Sequence, residues 1–133
     1  MKTNIGLAIA GSLMLAAAPA AAKSPLEGLW RTPKGTATVR IAPCGQQLCG
    51  KMIDASNQVR RKAKKQGAPN IVGRTVLNSI EPVGPNRWKS QVFVPRLGRH
   101  VGGNLVLNSQ NRLTVRGCIV GLICKSQAWH RVN

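Results

Sequence analysis

The chain has 133 residues, enough for one domain, and sets 20 Lys and Arg against only three acids, a formal net charge of +17. Three carboxylates, Glu27, Asp54 and Glu81, scattered along that length offer no paired-acid site. With no Tyr, one Phe and three Trp, the chain lacks the aromatic platform of a single-strand nucleic-acid reader. The charge favours anionic surfaces and polymers more generally, or simply keeps a small protein soluble.

Residues 1–22 read as a secretory signal peptide. Lys2 is the positive n-region, Ile5 to Ala18 the short apolar stretch, and Ala20-Ala21-Ala22 the small residues before a cut after Ala22. The apolar run is short for a membrane span, so no transmembrane segment is expected. No Cys lies at the cut to carry a lipid anchor. The remainder, 23–133, is expected to be a single domain, secreted, or periplasmic if the host is Gram-negative, where thiols oxidise.

Past the cut, short strands alternate with turn signals. The expected strands are Gly28–Thr32, Thr36–Ala42, Leu48–Asp54, Val72–Ile80 with a bulge at Gly73, Trp88–Val94, Gly103–Leu107, Arg112–Val115 and Ser126–Val132. In Thr36–Ala42, Ala37, Val39 and Ile41 alternate with polar residues, the mark of a half-buried strand. Pro33-Lys34-Gly35, Pro43 to Gln47, Pro82 to Asn86, Asn108 to Asn111 and Gly117 to Gly121 are turns. Residues 55–70 show no period of two and are expected to be a long exposed basic loop. The pattern predicts an all-β fold: a small antiparallel up-and-down barrel of about eight strands, since closure removes exposed edges. A compact sandwich is the alternative.

All four cysteines lie after the cut. Cys44 and Cys49 flank one turn and Cys118 and Cys124 another, so two local disulfides are geometrically natural, although three connectivities are formally possible. Loops this short stabilise by at most roughly 2 kcal/mol each. A zinc site would want closer spacing, and a redox pair two intervening residues at a helix start.

Four segments together resemble one family: Gly28-Leu29-Trp30, the Val39 to Gly50 run containing Pro43-Cys44-Gly45 and Leu48-Cys49-Gly50, Leu113 to Cys118, and the ending Gln127-Ala128-Trp129-His130-Arg131-Val132. The chain is similar to the domain-of-unknown-function (DUF) family 2147 of exported bacterial proteins. The resemblance implies a small lipocalin-like β-barrel and leaves the activity unassigned. It also implies that Trp30 packs under Arg131, a cation–π contact of about 0.5–2 kcal/mol closing the barrel floor. Lys125 or Arg116 are alternative partners, and a plain core Trp is the simpler role. Members usually carry an acidic Asn-Pro-Asp loop where this chain has Val59 to Lys65. They carry Tyr-Asp-Pro and Gly-Lys-x-Tyr where it reads Phe93-Val94-Pro95 and Gly98-Arg99-His100-Val101.

The sharpest local signal is Arg60-Arg61-Lys62-Ala63-Lys64-Lys65. Arg60, Arg61, Lys62, Lys64 and Lys65 form a candidate anion-binding site for an anionic membrane surface, lipopolysaccharide or acidic polysaccharide, at about 1 kcal/mol per cation near a membrane. Cations continue on the strands at Arg74, Arg87, Lys89, Arg96, Arg99, Arg112 and Arg116. Salt-sensitive, non-specific nucleic-acid binding in vitro follows from charge alone. Such a run is also often a solvated surface with no partner. A lipocalin-like barrel would offer a cup for a small apolar ligand, unless side chains fill it. An unrecognised hydrolase would need Asp54, His100 and His130 gathered in one cleft. No catalytic residue, metal site or cofactor is assigned.

Overall fold

The computed structural model describes residues 23–119 and 123–132, together with 6 and 10–12. Apart from residues 6 and 10–12, the expected signal peptide lies outside the described residues, as does its cut after Ala22. Eight strands form one closed antiparallel barrel in chain order. They are β1 (Gly28–Arg31), β2 (Ala37–Cys44), β3 (Gln47–Ala55), β4 (Thr75–Gly84), β5 (Arg87–Val94), β6 (Arg99–Ser109), β7 (Arg112–Ile119) and β8 (Ile123–Arg131). Closure is made by β1 on β8, with Trp30 opposite Arg131 and Arg31 opposite His130. This seam is short, two residue pairs between the four-residue β1 and the end of β8.

The alternation expected in β2 is present: Ala37, Val39 and Ile41 are buried and Arg40 is exposed. Leu26, Trp30, Val39, Ile41, Leu77, Ile80, Leu105 and Leu113 are the most completely buried large side chains. They belong to one core cluster inside the barrel. Glycine is required where strands crowd inward. A Cβ on Gly103 would sit 2.3 Å from the carbonyl oxygen of Arg116 and 2.6 Å from Val92 Cγ2.

The segment expected as an irregular loop carries a helix, α1 (Asn57–Lys65). Ser56 caps it, its Oγ accepting from the Val59 N–H at 3.2 Å. Gly67, at φ 91°, ends it, with Gly67 N–H donating to Lys64 O and Ala68 N–H to Ala63 O, the double bond of a Schellman turn. Lys62, Lys64 and Lys65 complement the negative C-terminal end of the helix. Buried Ala63, Ala68 and Ile71 join the core, so α1 packs onto the barrel.

Four further expectations are corrected. Gly73 precedes β4, at φ 92°, its N–H donating to Met52 O at 2.7 Å. The irregularity in β4 falls between Asn78 and Glu81, where Ser79 takes φ 50°. That strand runs on through Pro82, which pairs with Trp88, so the turn begins only at Pro85. Strand β6 starts at Arg99, and β7 and β8 extend to Ile119 and from Ile123. Gly102 and Gly117 are therefore strand residues, as Gly103 was expected to be, because the ladder bonds on both sides outweigh glycine's weak strand preference.

Candidate functional site

The two ends of the barrel differ. At one end Arg131 packs on Trp30. Its guanidinium carbon lies 4.3 Å from the centre of the Trp30 ring. Its nitrogens donate to Gln110 O at 2.8 Å, Glu27 O at 2.8 Å and Pro25 O at 2.5 Å. Trp30 is fully buried, and its indole N–H donates to Leu26 O at 2.8 Å. One side chain thus ties the N-terminal arm to β1, β8 and the β6–β7 hairpin. The bridge Cys44–Cys49 closes the β2–β3 hairpin, which also lies at this end.

The other end is open. Here lie the connection from Thr32 to Thr36, helix α1, the short turn Pro95–Leu97, the end of β7 at Ile119 and the start of β8 at Ile123. Between them opens a cavity of about 510 Å³. Its deeper wall is apolar: Val39, Met52, Leu77, Val92, Val115 and Trp129. Nearer solvent it is lined by Gln66, Lys62, Arg96, Lys125 and Gln127. The helix contributes Val59, Lys62 and Ala63, and its C-cap Gln66, spaced as one helical face. Strand β8 contributes alternate residues, Ile123, Lys125, Gln127 and Trp129, as one face of a strand must. Gln127 accepts the Trp129 indole N–H at 3.0 Å. The bridge Cys118–Cys124 pins β7 to β8 close to this rim, between residues directly opposite in register.

The predicted basic run is divided by the helix. Only Lys62 lines the cavity. Arg60 turns back to β3, donating to Ala55 O at 3.0 Å and lying 3.7 Å from Asp54. Arg61, Lys64 and Lys65 are exposed. Of the cations foreseen on strands, Arg74 is not a free surface charge: it stacks 4.6 Å over the Phe93 ring. His100 packs on the same ring at 5.4 Å and holds the Thr75 carbonyl at 3.0 Å. Phe93 and His100 are register partners, and Phe93 lines the cavity described above.

The three groups needed by a hydrolase are not gathered. Asp54 faces Arg60, His100 is committed to Phe93 and Thr75, and His130 lies between Arg31 and Arg112 on the β8 surface. Among the described residues, no three His, Cys, Asp or Glu side chains are placed to hold a metal. No helix among them is long and apolar enough to cross a membrane. Sequence reasoning missed Arg96, Gly117, Lys125 and Gln127 as cavity residues. The alternation that puts Trp129 and Arg131 on one face also puts Gln127 and Lys125 there, and that signal was available.

The comparisons agree with this architecture. The protein HP1028 from the human pathogen Helicobacter pylori, described as belonging to the lipocalin family, has a similar fold, with a TM-score of 0.59. The two are 17% identical, over 81% of this chain and 83% of that one, a likeness of fold alone. No curated protein matches the chain. The family DUF2147, described as an uncharacterized protein conserved in bacteria, matches residues 28–131. That span takes in every strand of the barrel, both disulfides and the Trp30–Arg131 closure, and on it the chain belongs to the DUF2147 family.

Proposed function

We propose that this chain is a non-enzymatic binding protein that takes a small apolar ligand into the open end of its barrel. The cavity carries this reading. Its volume, about 510 Å³, falls in the range of small-molecule sites, about 300–1,000 Å³. Its floor is apolar and its mouth polar, the usual division between affinity and orientation. Gly117 lies in the wall, where an added Cβ would come to ordinary contact with Val92 and Val101, at 3.7 Å, so packing does not demand glycine there. Two disulfides fit an oxidising space, the bacterial periplasm or exterior. The test is a fluorescence titration with N-phenyl-1-naphthylamine, a neutral apolar probe. One saturable equivalent per chain is expected. A linear, unsaturable signal would overturn the reading.

A second reading concerns the outer surface. Arg61, Lys64 and Lys65 on the exposed side of α1 suit an anionic envelope surface, either phospholipid headgroups or lipopolysaccharide. Co-sedimentation with phosphatidylglycerol vesicles at rising salt tests it. Binding at low ionic strength that weakens in the variant R61Q/K64Q/K65Q supports the reading, and no binding at low salt removes it.

A further inference from the structure

We infer that the ligand of the cup is an anionic amphiphile, its acid group held at the mouth by Lys62, Arg96 and Lys125 and its apolar body on the partly exposed Val59, Val92 and Ile119. This rests on the cavity reading and adds the chemical class.

The first support is the sign of the lining. The three cations come from three separate elements, α1, the Pro95–Leu97 turn and β8, and converge on one opening. Among the described residues, no carboxylate lines the cavity. The chain has only three acids, and each is engaged elsewhere. Glu27 accepts the Ser24 N–H at 2.7 Å in the N-terminal arm. Asp54 lies 3.7 Å from Arg60. Glu81 lies 3.0 Å from Lys89 and also accepts from Gln47. The mouth therefore has no internal counter-charge, and a concave, low-dielectric wall concentrates its positive field.

The second support is direction. Lys125 occupies an inward position of β8, between Ile123 and Gln127, where a barrel strand ordinarily places an apolar side chain. Lys62 is as exposed as Arg61, Lys64 and Lys65, but of these four cations of α1 it alone lines the cavity. The Gln127 amide oxygen already accepts from Trp129, which leaves its NH₂ as a donor. The polar groups offered to a ligand are thus mainly donors and cations over an apolar floor. They suit a carboxylate or sulfate head, which accepts strong charge-assisted hydrogen bonds.

The experiment displaces bound N-phenyl-1-naphthylamine with dodecanoate, dodecyl sulfate, dodecanol and dodecylamine, below their aggregation concentrations and at low ionic strength. The two anions are expected to bind at least about tenfold more tightly than the alcohol, and the amine more weakly still. The variant K62Q/R96Q/K125Q should abolish that preference while keeping alcohol affinity. These side chains are exposed, and the melting temperature verifies folding. The variant R61Q/K64Q/K65Q removes the same charge from the outer face and should keep most of the preference. If alcohol and anions bind equally, or the outer-face variant abolishes the preference as fully as the mouth variant, the head-group assignment falls and the cup remains. If neither probe nor amphiphiles saturate, the cup falls and takes the assignment with it.

Discussion

Removing the guanidinium of Arg131 should open the floor of the barrel. The side chain makes three hydrogen bonds to carbonyls, of Gln110, Glu27 and Pro25, and lies 4.3 Å from the Trp30 ring. A hydrogen bond with a charged donor contributes about 1.5–3 kcal/mol and the cation–π contact about 0.5–2 kcal/mol. Arg131 is only half-buried, so water replaces part of what is lost, and the contacts are not additive. We expect R131A to cost about 3 kcal/mol, scaled from those contributions. R131K keeps the charge but not the planar fork that reaches three carbonyls and stacks on the indole, and about half the loss is expected. At about 4 °C per kcal/mol for a domain of this size, the melting midpoint should fall by about 12 °C in R131A and about 6 °C in R131K. Calorimetry on the oxidised protein measures both, and Trp fluorescence should report the change above Trp30. Two variants melting within about 1 °C of the parent would show that the contact does not hold the barrel shut.

Two neighbouring glycines should behave in opposite ways. G103A should lose about 1–3 kcal/mol in urea unfolding, because the new Cβ would lie 2.3 Å from Arg116 O. G102A meets nothing within 4 Å and should stay within about 0.5 kcal/mol of the parent. Equal midpoints for the two would refute the inward crowding at Gly103. S56A removes the cap of α1 and should cost about 1 kcal/mol. Amide exchange in residues 57–65 reports it, and unchanged protection there would contradict the cap.

The barrel was largely legible because its strands are half-buried. Ala37, Val39 and Ile41 announce an inward face by alternation alone, and the two cysteine pairs each bracket a reversal of the chain. The Trp30–Arg131 closure came from the family resemblance, since nothing local to residue 30 names a partner a hundred residues away. Helix α1 was lost behind its charge. Its short span offers only Val59 and Ala63 as apolar contacts, so it reads as a cationic surface. Yet Ser56, the good helix formers Ala, Lys, Arg and Gln, and Gly67 were all in view. The cup was not legible as a whole. Lys62, Arg96 and Lys125 lie on three segments that share no motif, and only closure brings them to one mouth. How far side chains fill a small barrel depends on which inward positions carry small residues. Gly117 was taken for a turn because its strand was read as ending at Val115.

Isothermal calorimetry of dodecanoate binding to the parent and to G117L puts the cup to the most direct trial. The leucine would grow from a wall position with room for its first carbon into the space a ligand needs. The parent should bind one equivalent with a negative heat-capacity change, the mark of buried apolar surface. The folded G117L variant should bind at least about tenfold more weakly, a difference of about 1.4 kcal/mol. Equal binding by the two proteins, or no saturable binding by the parent, would contradict a ligand site at the open end of this barrel.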